Sequence, residues 1–240
     1  MARTSKKVLT EGAEVTRGRI LQAAAHEFSQ RGLSEARVES IASWAKVNLA
    51  LIYYYFTNKH GLYRALIEKT AQTFVDSGLE VLAAPGSAGE RLLHLVLANF
   101  NRHLYRFKSE VVLQRELHHD RGTIRRIALE IAKPLANRAR DVVHEGVEAG
   151  ELFDLDWMLA AHLMFGITAS YFRLGPFLRE MEGLAPQDAE FLEYRRKTIA
   201  LAVAKVLFVD PMRGARLAEQ ALIDLPMDSP DKFLDWASTL

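Results

Sequence analysis

The sequence predicts an all-α protein with a small head at its N-terminus and a larger helical bundle behind it. Three observations predict this. Nearly every segment repeats its apolar residues with the period of a helix, and none alternates like a strand. Gly and Pro mark the breaks between periodic segments. Near the start, two short helices joined by a brief turn follow a longer amphipathic one, and the later helices are longer and more apolar.

Residues 1–15 are polar, carry Arg3, Lys6 and Lys7, and read as a flexible basic arm without the apolar stretch of a secretory signal. A first helix over 16–31 places Leu21, Ala24, Ala25 and Phe28 on one face and stops at Gly32. A short helix over 38–45 repeats Val38, Ile41, Ala42 and Ala45 at helical spacing. After the link Lys46 and Val47, Asn48 is a good N-cap, and Val47 with Ile52 forms a hydrophobic staple that fixes the entry of the next helix, over 48–56. Asn58 caps a fourth helix reaching about residue 82, with Leu62, Ala65, Leu66 and Phe74 inward.

Pro85 and Gly86 then break the chain, and Ser87 with Glu90 forms a capping box. The helix it opens buries Leu93, Leu97, Phe100, Leu104 and Phe107. Further helices are expected over 109–118 and over 123–149, the latter kinked or split at Pro134 and stopped by Gly150. Asp154 or Asp156 caps a helix ending before Gly175 and Pro176. The last long helix begins near residue 186, with Asp188 and Glu190 at its positive end, and stops before Asp210 and Pro211. The tail, 211–240, holds one short helix over 215–222.

Composition narrows the function. There is no cysteine, so disulfides and thiolate metal sites are excluded. No apolar run approaches the roughly 20 residues that span a bilayer, so the expected location is the cytoplasm. Residues 1–60 hold nine Lys/Arg against five Asp/Glu, a net of +4, whereas the rest holds 22 against 25. A basic head on a mildly acidic body suits a protein whose head alone meets phosphates.

The helix over 48–56 sharpens that reading. Ile52 and Phe56 must face inward, which leaves Leu49, Ala50, Leu51, Tyr53 and Tyr54 outward in varying degrees. Water alone does not favour so much exposed apolar and aromatic surface. A DNA groove does: phenol hydroxyls bond phosphates, and small apolar groups touch thymine methyls. Lys59 adds a charge at the start of the following helix, whose N–H groups favour anions.

The stretch from Thr16 through Ile20, Ala23 and Ala24 to Phe28, Gly32 and Leu33 carries a resemblance when taken with Ile41, Ala42, Ala45 and Asn48, then Ile52, Tyr53, Tyr54, Tyr55, Phe56, Asn58, Lys59, Leu62 and Tyr63. It resembles the DNA-binding domain of tetracycline-repressor (TetR) family regulators, over about residues 15–70. The resemblance implies a helix-turn-helix DNA-binding domain over 16–70 and a helical ligand-binding and dimerisation domain over 71–210. It implies a homodimer on a pseudo-palindromic double-stranded operator, released by a small-molecule effector. It places Asn48, Leu49, Ala50, Leu51 and Tyr53 at or near base edges, Tyr54 and Lys59 on phosphates, and a further phosphate contact at Arg37. Two residues depart from the family pattern. Lys46 stands at the usual turn glycine and must adopt its backbone conformation, and Leu49 replaces a commonly polar residue.

In the body, helices near 156–174 and 186–209 are apolar nearly all round, which requires burial on two sides and makes them the dimerisation candidates. The resemblance puts an effector pocket in the body, with Phe100, His103, Leu117, His118, Phe165 and Tyr171 as candidate lining, and Arg102, Arg106 and Arg115 as partners for an acidic ligand. His118, His119 and Asp120 do not make a convincing metal site, because adjacent helical positions diverge by about 100°. No phosphate loop, nucleophile elbow or zinc-protease motif is present. No catalytic residue, metal or cofactor is expected, and the chain reads as a regulator rather than an enzyme. The alternative of another class is an architectural DNA-binding protein without an effector.

Overall fold

The computed structural model describes residues 2–118, 122–183 and 189–227. Its helices are α1 (Ala2–Glu35), α2 (Val38–Ala45), α3 (Leu49–Phe56), α4 (Lys59–Ala83), α5 (Ala88–Tyr105), α6 (Phe107–His118), α7 (Thr123–Glu148), α8 (Trp157–Ala161), α9 (Ile167–Met181), α10 (Ala189–Leu207) and α11 (Pro211–Asp224). Among the described residues the only β feature is a single antiparallel bridge between Leu152 and Phe208. Two compact units form: Met1–Gln72 with Lys108–Ile131, and Thr73–Phe107 with Ala132–Leu240.

The first unit is the head. Ile20 and Phe28 of α1, Ile41 of α2, Ile52 of α3 and Leu62 and Ile67 of α4 are fully buried together. Val112, Leu113 and Ala128 join this core, which is why 108–131 belongs with the head. Helix α1 starts at Ala2 and not at 16, so the expected flexible arm is a helical extension. No Pro or Gly interrupts residues 2–11, and a helix already nucleated by buried residues propagates cheaply into such a segment. At its other end Gly32, at φ 71°, breaks the line of α1.

The turn between α2 and α3 accepts the unusual lysine. Lys46 sits at φ 52° and ψ 48°, and the N–H of Val47 donates to the Ala42 carbonyl at 3.0 Å. A left-handed lysine costs about 1–2 kcal/mol, and glycine's extra unfolded-state freedom offsets part of that. Lys46→Gly should therefore raise the urea midpoint of the head, by roughly 0.5–1 kcal/mol in unfolding free energy. A lower midpoint would show the turn to be unstrained.

In the body, α5 is buried along most of its length. Its capping box forms as expected, with Ser87 N–H on Glu90 at 2.6 Å. Buried Glu151 reinforces that helix start, accepting from the Ser87 hydroxyl at 2.6 Å and the Gly89 N–H at 3.0 Å, and pairing with Arg213 of α11 at 3.0 Å. Asp156 caps α8 by accepting from Met158 and Leu159. Gly150 ends the turn after α7 at φ 65°.

Four features of the later helices differ from expectation. Helix α7 carries Pro134 inside one unbroken helix. The helix expected to stop before Gly175 and Pro176 runs through both to Met181, with Phe172 fully buried just before them. One Pro removes one main-chain donor, and packing of such an anchor offsets the loss. Between α8 and α9 lies a single π-helical turn, His162–Gly166, in which Ile167 N–H returns to the His162 carbonyl. The tail helix α11 spans Pro211–Asp224, longer than 215–222, with Asp210 as its cap and Pro211 at its first position. The expected start of the last long helix, with Asp188, and the tail beyond 227 lie outside the described residues.

Candidate nucleic-acid interface

Helix α3 is built to point outward at a fixed angle. Asn48 Oδ1 accepts the Leu51 N–H at 2.8 Å, closing its N-terminus. At the other end Thr57 takes φ 66° and ψ −48°, and the Asn58 N–H donates to the Phe56 carbonyl at 2.7 Å. This is a tight γ-turn through a β-branched residue at positive φ, a strained connection. Asn58 then caps α4 through the Gly61 N–H at 2.8 Å. Ile52 and Phe56 are buried as expected. A tight, capped junction of this kind fixes the direction of the helix between them.

The outward face holds Asn48, Ala50, Tyr53 (42% exposed) and Tyr54 (80% exposed). Leu49 does not belong with them: it is half-buried against the head core, because residues 49, 52 and 56 share one helical face. Leu51 is half-buried too. The reading surface is thus less apolar than the sequence implied, and consists of a small Ala flanked by two phenols. Tyr55 packs against the core and meets the Tyr54 ring edge-on at 5.4 Å.

Lys59 is half-buried, and its ammonium donates to the carbonyls of Ser34 at 2.9 Å and Ala36 at 3.2 Å. It thus ties the start of α4 to the link before α2, with one of its three hydrogens left for a phosphate. Arg37 is exposed at the N-cap of α2, where its side chain makes no cap. Buried Glu27 replaces that cap, accepting the Arg37 N–H at 3.0 Å while pairing with Arg31 at 3.3 Å. The arginine side chain is released toward solvent.

Three further head residues have no signal in local pattern. Arg115 of α6 donates to the carbonyls of Phe28 at 3.0 Å and Ser29 at 2.8 Å, capping the turn of α1 before Gly32. Tyr63 donates to Glu116 at 3.2 Å, and burial followed by the charge of Glu116 pushes its hydroxyl up to about 12. Arg17 lies over the Phe56 ring at 5.4 Å. Arg115 was a candidate partner for an acidic ligand; here it serves the backbone.

The candidate effector residues divide. Phe100, His103, Phe165 and Tyr171 lie in the body unit. There Phe100 and Tyr171 stack at 5.9 Å, His103 stacks on Phe172 at 5.6 Å, and Phe165 meets Phe74 edge-on at 5.8 Å. Arg102 lies over Phe74 at 4.2 Å and donates to Asn99. Asn99 in turn donates to Thr168, beside the π turn. Leu117 and His118 belong to the head instead: Leu117 packs on its core, and exposed His118 bonds the Gln114 carbonyl at 2.6 Å. His119 and Asp120 lie outside the described residues. Among the described residues no group of three or more His, Asp or Glu side chains is placed to hold a metal.

Residues 20–66, the α1–α4 unit just described, match the family model described as bacterial regulatory proteins, tetR family. These residues carry the tetR-family DNA-binding pattern. The chain is 28% identical over 148 residues to the fatty acid metabolism regulator protein of Bacillus subtilis (strain 168), covering 61% of this chain and 76% of that one. Its fold is similar to that of the transcriptional regulator FadR from Bacillus subtilis solved with stearoyl-CoA (TM-score 0.59, 23% identity, 78% of this chain and 98% of that one). It is also similar in fold to AibR solved with isovaleryl coenzyme A and operator DNA (TM-score 0.64, 17% identity, 80% and 97%). The chain is therefore an all-α DNA-binding transcriptional regulator with a helical body behind its head. No described helix is long and apolar enough to cross a membrane.

Proposed function

We propose that the chain is a homodimeric repressor, acting in the cytoplasm at the nucleoid, whose hold on a palindromic operator is released by an acyl-coenzyme A. The observation that carries the DNA half is the capped, strained mounting of α3 with Asn48, Ala50, Tyr53 and Tyr54 outward. In this reading Ala50 and Tyr53 meet base edges, with Asn48, Leu49 and Leu51 close by, while Tyr54, Arg37 and the spare hydrogen of Lys59 hold phosphates.

Exposed apolar residues support the dimer. Met158, Leu174, Phe177 and Leu178 stand exposed on α8 and α9, and Tyr194 and Val206 on α10. Exposed apolar side chains on these helices fit a two-fold interface between copies, and the run of α9 to Met181 adds Phe177 and Leu178 to the segment expected over 156–174.

The effector class rests on the relatives: one is named for fatty acid metabolism, and two structures of this fold hold acyl-coenzyme A esters. The body's aromatic cluster around Phe100, Tyr171 and Phe172, with Asn99 and Arg102 beside it, fits an acyl chain with a polar head. A series of acyl-coenzyme A esters from short to long chains tests it. One length should raise the melting temperature and weaken operator binding between about 5- and 150-fold. If no length shifts either quantity while the operator is still bound, the effector reading falls and an architectural DNA binder remains.

A further inference from the structure

The head holds a cleft that the reading of DNA does not explain. Its volume is about 440 Å³, and its walls are residues 32–34 at the end of α1, Lys59, His60 and Tyr63 of α4, and Arg115 and Glu116 of α6. All of these residues belong to the first compact unit. Small-molecule sites usually measure about 300–1,000 Å³, and one water needs only about 30 Å³. The cleft is therefore the size of an organic ligand.

Its lining is charged, and the charges are held in place. Lys59 uses two of its three hydrogens on the carbonyls of Ser34 and Ala36. Arg115 uses two of its five on the carbonyls of Phe28 and Ser29. Its guanidinium lies against Gly32, where a Cβ would stand 3.5 Å from Nη1. These partners are main-chain carbonyls, which carry no net charge. Glu116 is the one acid of the lining, and the Tyr63 hydroxyl already donates to it at 3.2 Å. Two cations against one acid leave the lining net +1 before His60 is counted. Leu33 and the ring of Tyr63 supply an apolar side.

We infer that this cleft is a second ligand site, in the head and separate from the body, and that it takes a small organic oxyanion: a carboxylate or a phosphate monoester. The oxyanion accepts from Lys59 and Arg115, as such groups do from fixed cations, and its organic part lies against Leu33 and Tyr63. The same walls mount the reading helix. Lys59 opens α4 just after the junction with α3 and bonds the link before α2, while Arg115 closes the last turns of α1. An anion in the cleft claims the hydrogen of Lys59 that a DNA phosphate would take, so it opposes operator binding. This regulatory half rests on the proposed DNA-binding role, and the site itself does not.

Succinate and methyl phosphate are the probes, titrated into the full chain by calorimetry with ionic strength held constant by chloride. At least one should bind saturably at one site per chain, with a Kd of about 1 mM or below. His60→Glu adds a carboxylate to the lining and should weaken that binding roughly 3- to 10-fold, whereas Glu116→Gln should strengthen it by about the same factor. His60 is exposed in the first turn of α4, where a glutamate suits the helix dipole, so the melting temperature of His60→Glu should not fall. Saturating probe should weaken the operator complex of wild type about 5-fold or more. The same probe concentration should weaken that of His60→Glu by less. Absence of saturable binding by both probes overturns the inference, and so does binding that neither variant changes, since the anion then lies elsewhere. Binding that leaves operator affinity unchanged overturns the regulatory half. If the chain binds a probe but no duplex, the site stands and the reading of α3 falls.

Discussion

Ala50→Glu should abolish operator binding while leaving the fold intact. Ala50 is exposed in the first turn of α3, between Asn48 and the two outward phenols. A glutamate there loses a few tenths of a kcal/mol in helix propensity and regains about as much from the helix dipole. Unfolding free energy should therefore stay within about 0.5 kcal/mol of wild type. Against DNA the same carboxylate is driven into a groove walled by phosphates, and like-charge juxtaposition costs several kcal/mol. Binding should fall by at least roughly a hundredfold, equivalent to about 3 kcal/mol. Gel shift and thermal melting on one preparation check both halves. Retained binding would mean that α3 does not enter the groove. Lys59→Met is a weaker probe, because loss of the bonds to Ser34 and Ala36 changes stability along with DNA contact.

Arg196→Ala should be the most damaging single change in the body. Arg196 is fully buried on α10, pairs with Glu193 at 3.0 Å, and donates to the carbonyl of Leu225 at the end of α11. Burial holds its guanidinium below the usual arginine range even with Glu193 beside it. Truncation leaves a cavity and an unsatisfied carbonyl, and releases the end of the tail helix. The loss should be about 3 kcal/mol, discounted from the upper range for buried pairs because Glu193 still reaches water. Arg196→Lys should recover little, since one ammonium cannot serve both partners in the geometry of the planar fork. Urea unfolding followed through the body measures it. Lys197, whose pair with Glu219 is 3.9 Å apart and exposed, is the control, and Lys197→Ala should change stability by less than about 0.5 kcal/mol. A tolerated Arg196→Ala would show that α11 is held by its apolar face alone.

The contrast between these residues shows what a sequence exposes. Helix ends are local chemistry, so Asn48, Asn58, Ser87 with Glu90, Asp156 and Gly150 were legible as caps, and each acts as one. The inward pair Ile52 and Phe56 was legible from spacing alone. Leu49 was read as outward, whereas it is half-buried on the side of Ile52 and Phe56, a relation that the spacing already contained. The helical course of residues 2–15 was missed because that stretch of the sequence carries no run of apolar residues at helical period. The burial of Arg196, the bonds from Arg115 to α1 and the π turn at His162–Gly166 depend on partners distant in sequence, among them Leu225, Phe28 and Ser29. Leu117 and His118 were placed in the body by their position along the chain, whereas α6 packs its Val112 and Leu113 into the head.

The central claim is that the face of α3 around Ala50, Tyr53 and Tyr54 selects a DNA sequence. Selection of bound duplexes from a random pool tests it most directly, with wild type and Ala50→Glu run in parallel. The account predicts that wild type enriches one motif made of two dyad-related half-sites about a helical turn or a multiple of it apart, and that the variant enriches nothing. Enrichment of the same motif by both proteins, or of no motif by wild type, would contradict it.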